Sequence, residues 1–192
     1  MNAVILNARV VPRSNTFKKL EEIRNLEKVQ KGTGQALSGT YGFVDPHFRF
    51  VHDYLNDWKP VPTPANYRQF VGTSVTLEVS PEIFLPLDFQ KYPKVLTVIQ
   101  MHEQKHVRDA EIIVRRLLPA ALAKDATFKE YFLNRKPIPE GTYRYMLPNK
   151  IAGIVAYEFE RLWRASIANL DNPAMYKALQ IEIDKAQRES LK

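Results

Sequence analysis

Residues 94–117 read KVLTVIQMHEQKHVRDAEIIVRRL, and this stretch decides the fold. Apolar residues recur at intervals of three and four, which predicts one long helix over about 94–117. A helix turns about 100° per residue. With His102 at zero, Val95, Ile99, His106, Ala110, Ile113 and Leu117 fall in one adjoining arc. Glu103, Leu96, Val107 and Val114 extend the arc on one side, and Gln100, Gln104, Lys105, Arg108, Glu111 and Arg115 take the opposite side. His102, Glu103 and His106 therefore lie on the core-facing stripe. Burying two imidazoles and a carboxylate without partners costs several kcal/mol. A metal ion would answer that cost.

Within this helix, His102-Glu103-Gln104-Lys105-His106 has the pattern H-E-x-x-H. Histidines four apart share a helix face, so both imidazoles can reach one ion. A glutamate beside the first histidine can take a proton from a water on that ion. A buried His–Glu pair hydrogen-bonded without metal is the structural alternative.

The flanking sequence predicts an α+β chain. Residues 3–11 read as a strand, and Ser14-Asn15 can cap a helix over about 16–30 that carries Phe17, Leu20, Ile23, Leu26 and Val29. Residues 32–45 read as a loop or loose hairpin, and about 47–57 as a short helix after Pro46. Residues 59–66, KPVPTPAN, form an extended connector. Residues 73–80 alternate as a half-buried strand with Val75, Leu77 and Val79 on one face. Pro81, Pro86 and Pro93 punctuate an expected loop, and Pro119 ends or kinks the long helix. Further helices are expected over about 120–134, 149–169 and 172–190, with a loop at 135–149. A small antiparallel or mixed sheet would pack beside a mainly helical half. The chain reads as a single domain, 1–192, with an α/β part over about 1–93 and a helical part over about 94–192.

The 192 residues contain no cysteine, which removes disulfides, thiolate metal sites and cysteine nucleophiles. A metal site must come from Asp, Glu and four histidines: His47, His52, His102 and His106. The net charge of +7 is not arranged as basic blocks interleaved with aromatics, so nucleic acid is not the expected partner. No apolar run approaches the roughly 20 residues of a membrane span. The first residues, MNAVILNARVVPRS, lack a basic leader and read as a strand rather than a signal peptide. The expected location is cytoplasmic, or exported by a route without a cleaved signal.

A catalytic zinc usually has three protein ligands and one open position. The metzincin pattern fails, because Asp109 and Ile112 stand where glycine and histidine are needed. For a thermolysin-like spacing the nearest carboxylate is Glu130. For a deuterolysin-like Gly-Thr-x-x-Asp, Gly141-Thr142 is followed by Tyr145. Glu158 lies mid-stripe among Ile151, Ile154, Val155 and Leu162, and is the first candidate for third ligand, ahead of Glu130 and Asp109. A buried salt bridge from Glu158 to Arg108 or Arg116 is the alternative. Asp109 is better placed to orient a histidine. Tyr143, Arg144 and Tyr145 are candidate oxyanion donors by position.

The stretch from Val75 to Leu117, strand TSVTLEVSP followed by the motif helix, resembles the zincin-like H-E-x-x-H metallopeptidases. It resembles bacterial predicted zinc-dependent proteases of unknown substrate, which are usually secreted. The resemblance covers about a quarter of the chain. It implies a zincin-like fold, Zn2+ as cofactor, a protein or peptide substrate, Glu103 as general base, and strand 73–80 lining the cleft by edge pairing. The rival class is a non-catalytic metal-binding or partner-binding protein. A proteolytic toxin or effector would share the chemistry and differ in biology.

Overall fold

A computed structural model describes residues 5–31, 41–51, 57–145 and 147–190. In chain order the strands are β1 (Ile5–Val10), β2 (Thr16–Lys18), β3 (Phe43–Asp45), β4 (Phe48–Val51), β5 (Trp58–Pro60), β6 (Tyr67–Phe70), β7 (Ser74–Val79), β8 (Glu82–Pro86) and β9 (Ile138–Pro139). The helices are α1 (Leu20–Lys31), α2 (Pro93–Ile112), α3 (Leu118–Leu122), α4 (Ala126–Phe128), α5 (Glu140–Tyr145), α6 (Leu147–Leu170) and α7 (Pro173–Ser190). The fold is α+β with small mixed and antiparallel sheets. Among the described residues no helix is long and apolar enough to cross a membrane.

The chain forms two compact units, each gathered from three separate stretches rather than from one half of the sequence. The first comprises residues 1–10, 48–79 and 112–162, and the second 11–47, 80–111 and 163–192.

In the first unit β7 is the central strand, parallel to β1 and antiparallel to β4. Val75, Leu77 and Val79 are buried, as their alternation predicts. Glu78 points to the other face, and its register partners Arg9 and Arg49 bracket it at 3.4 and 2.8 Å. Residues 48–51 are a strand, not the start of the expected helix. Phe48 and Phe50 alternate with Arg49 and find aromatic partners: Phe48 stacks on Phe159 at 4.2 Å, and Phe50 meets Phe132 edge-on at 6.2 Å. Residues 52–56 of that expected helix lie outside the described residues. A second sheet, β5-β6-β9, is backed by Trp58, Phe70, Phe128 and Phe132, all fully buried.

The first unit also holds a departure from the expected helix phase. After α2 the chain makes a π-helical turn, Ile113–Leu117, before α3. The wider turn shifts the register by one residue. Leu118 becomes fully buried while Leu117 is 46% exposed, although the α-helical phase puts Leu117 on the stripe. Pro119 falls in the first turn of α3, where its missing N–H costs nothing. The expected helix over 120–134 is interrupted at Lys124–Asp125, where Asp125 accepts from the Phe128 N–H and restarts it. The expected loop at 135–149 contains β9 and α5.

In the second unit β8 is central, parallel to β2 and antiparallel to β3. The expected proline-punctuated loop is thus a strand over 82–86. Ile83, Phe84 and Leu85 form an apolar run buried on both faces, and Pro81 and Pro86 only bound it. The first expected helix begins at Leu20, four residues late. Phe17 is drawn into β2 opposite Leu85, and the Leu20 N–H is capped by Asp88 Oδ2 at 2.8 Å rather than by Ser14 or Asn15. Ile23, Phe43 and Phe84 form a buried cluster beneath α1, joined by Leu26.

One polar cluster closes this sheet. Glu82 accepts from Thr16 Oγ1 at 2.6 Å, and its other oxygen lies 3.1 Å from His47 Nε2 and 3.5 Å from Arg13. The Thr16 bond, against the opposing effect of burial and with help from His47 and Arg13, holds the Glu82 carboxyl below its ordinary value. A depressed folded value makes the contribution full above the ordinary carboxylate range near 4.5 and lost as pH falls through the folded value. Thr16→Val should therefore cost about 1 kcal/mol at neutral pH in urea unfolding. The deficit should shrink as the buffer is taken down to about pH 3.

Candidate metal centre

All the groups of the centre belong to the second unit. Residues 102, 103 and 106 sit on the buried face of α2 with Val95, Ile99 and Ala110. His102, Glu103 and His106 are only 4 to 5% exposed. The two imidazole centroids are 5.3 Å apart, the expected consequence of a four-residue spacing.

Both rings aim Nε2 at one oxygen. Asp171 Oδ1 lies 3.3 Å from His102 Nε2 and 3.0 Å from His106 Nε2. Asp171 occupies the break between α6 and α7. Its N–H closes the last turn of α6 on the Ile167 carbonyl at 2.7 Å, and the next residue, Asn172, caps α7 through the Met175 N–H at 3.0 Å. The backbone is thus held on both sides of the ligand position. Ligands about 2.0–2.1 Å from a tetrahedral ion lie about 3.3–3.4 Å from one another. The two His–Asp separations are close to that edge, so the donor set His102, His106 and Asp171 fits a small divalent cation. All three donor atoms lie within 4.8 Å of one another.

The electrostatics favour a cation. Glu103 and Glu27 are buried carboxylates lining the same cavity as Asp171. Burial pushes the Glu103 carboxyl up to about 7, and Asp171 and Glu27 add to the rise while His106 and His102 oppose it. A bound cation would pull it back down. Burial acts most strongly on His106 and would lower it, but the hydrogen bond to Asp171 and the charges of Glu103, Asp171 and Asp109 together outweigh it, and the net shift is upward. His106 Nδ1 is buried without a hydrogen-bond partner, so the ring is held from the Asp171 side alone. The cavity measures about 20 Å³, room for an ion or a water. Tyr176 forms part of its wall, and its hydroxyl donates to Glu27 Oε1 at 3.3 Å.

His102, Glu103 and His106 come together as the motif predicts. The carboxylate beside them is Asp171, not Glu158. Glu158 lies in the first unit, where Arg161 holds it through two nitrogens at 3.1 and 2.9 Å. Its partner is thus one turn along α6, and neither of the expected arginines. Glu130, also in the first unit, pairs with Lys136. Asp109 accepts from Ser166 Oγ at 2.5 Å, tying α2 to the end of α6, and acts on His106 through its charge. Tyr143, Arg144 and Tyr145 fall on α5, and their side chains lie outside the described residues. Over 76–79 the expected cleft strand is paired on both sides, by β1 and by β4. The stretch that lines the cavity is Tyr41–Val44.

Two groups escaped the sequence reading. Asp171 precedes Asn172-Pro173 and reads only as a helix break, with no periodicity to mark it. Glu27 left a signal, since it stands four residues after Ile23 and so shares the buried stripe of α1.

Comparison with protein families, with curated proteins and with solved structures finds no match. The site is therefore read from its own geometry. Metal analysis by emission spectroscopy should find one divalent ion per chain. Asp171→Ala should lower affinity at least tenfold, and Glu158→Ala should leave it unchanged.

Proposed function

We propose that the chain is a zinc-dependent peptidase in which His102, His106 and Asp171 hold the metal and Glu103 is the general base. The observation that carries this reading is the convergence of both Nε2 atoms on Asp171 Oδ1, beside the buried carboxylate of Glu103. Two nitrogens and one oxygen suit zinc and leave one position open. When bound, zinc supplies a Lewis-acid position at which water is readily deprotonated near neutral pH. Glu103 accepts that proton on its carboxylate and returns it to the amine nitrogen that leaves as the peptide bond breaks. Asp171 supplies the negative charge and fixes both imidazoles. Tyr41, Trp163 and Tyr176 supply aromatic walls to the cavity. The substrate class is a protein or peptide.

A second reading, a structural metal centre, is favoured by one observation. The two histidines are almost fully buried, and the cavity beside them measures only about 20 Å³.

A peptide library separates the two. The wild type loaded with zinc should cleave, and dipicolinate treatment should abolish cleavage until zinc is restored. Glu103→Ala should keep its zinc and lose at least about a hundredfold in kcat, the scale of general-base catalysis. Stoichiometric zinc with no cleavage of any peptide would assign the centre to the structural class.

A further inference from the structure

Gly42 meets the site at an unusually close approach. A Cβ built on it would lie 2.7 Å from both Cγ and Cδ of Glu103, and closer still to Oε1. Gly42 does not take a left-handed φ, so backbone torsion is not what calls for glycine here. Space is what calls for it. The chain on either side cannot readily retreat. Tyr41 is hydrogen-bonded to Gln180 of α7, and its ring rests on Phe89 at 5.9 Å. Phe43 opens β3, pairs in register with Phe84 of β8, and packs on it at 6.0 Å. Glu103 in turn is 4% exposed on the inward face of α2. A methyl at position 42 must therefore displace the Glu103 side chain rather than the strand.

We propose that Gly42 is a positioning residue for Glu103, whose bare backbone forms the wall that holds the carboxylate in the cavity beside His102 and His106. The catalytic consequence rests on Glu103 as general base, whereas the packing itself does not. The three atoms nearest to a Cβ at Gly42 all belong to Glu103, so its effect should separate from metal binding.

Gly42→Ala tests this by two readouts. In the zinc-loaded wild-type background the thermal midpoint should fall by roughly 3–10 °C, the scale of a methyl forced into a packed site. In the Glu103→Ala background the same substitution should cost less than about 2 °C, because the shortened side chain vacates the space. Zinc should stay at one ion per chain in both, while kcat falls at least about a hundredfold with KM little changed. Equal losses of midpoint in the two backgrounds would overturn the proposal. If Gly42→Ala alone does not fold, pairing it with Glu103→Asp, one methylene shorter, should restore a cooperative transition, and a double variant that stays unfolded would overturn it too. If the wild type cleaves nothing, the peptidase reading falls, and the difference in midpoint between backgrounds still decides Gly42.

Discussion

Two imidazoles and a carboxylate buried on one helix face are the constraint on which the second unit depends. Each loses its hydration when α2 packs, at a cost of several kcal/mol in total unless a partner replaces the water. Asp171 supplies part of the answer by meeting both Nε2 atoms at 3.3 and 3.0 Å. It adds a charge of its own, however, next to Glu103 and near Glu27. Burial raises the Glu103 carboxyl, with Asp171 and Glu27 adding to the rise, and the neighbouring carboxylates raise the His106 imidazole against its own burial. A divalent cation would neutralise the carboxylates and occupy the imidazole lone pairs together.

The surrounding elements hold that arrangement from three directions. Asp109 and Ser166 fasten α2 to the end of α6. The Asp171–Asn172 break ends one helix and caps the next, which fixes a short side chain without the freedom of a loop. The Tyr41–Val44 stretch passes over Glu103 with a glycine at the point of contact. A carboxylate held this way is both desolvated and oriented, the two properties that a general base needs and that a solvated glutamate lacks.

The parts of the site legible in the sequence were those written on a single helix. His102, Glu103 and His106 share a face because of helical geometry alone, and no neighbour is needed to deduce it. Glu158 is likewise a carboxylate on an apolar stripe, but helical geometry does not name its partner. A stripe says that a group needs a partner without saying which, and Arg161, one turn away, is the partner. Phe-Arg-Phe-Val at 48–51 and Glu-Ile-Phe-Leu-Pro at 82–86 are too short for periodicity to separate strand from helix or loop. Pairing of 48–51 with β7, and of 82–86 with β2 and β3, settles them.

The sequence by itself determined the motif helix, its inward face, the alternating strand β7 and the absence of thiolate chemistry, because each follows from local geometry or from composition. Only the tertiary structure decided that Asp171 meets both imidazoles, that β7 is paired on both sides over 76–79, that a π-turn moves Leu118 into the core in place of Leu117, and that Gly42 lies against Glu103. Asp171 lies 65 residues from His106 along the chain, across a helix break that carries no period. Contacts of that kind arise from the joint packing of whole elements, and no window of sequence contains the forces that make them.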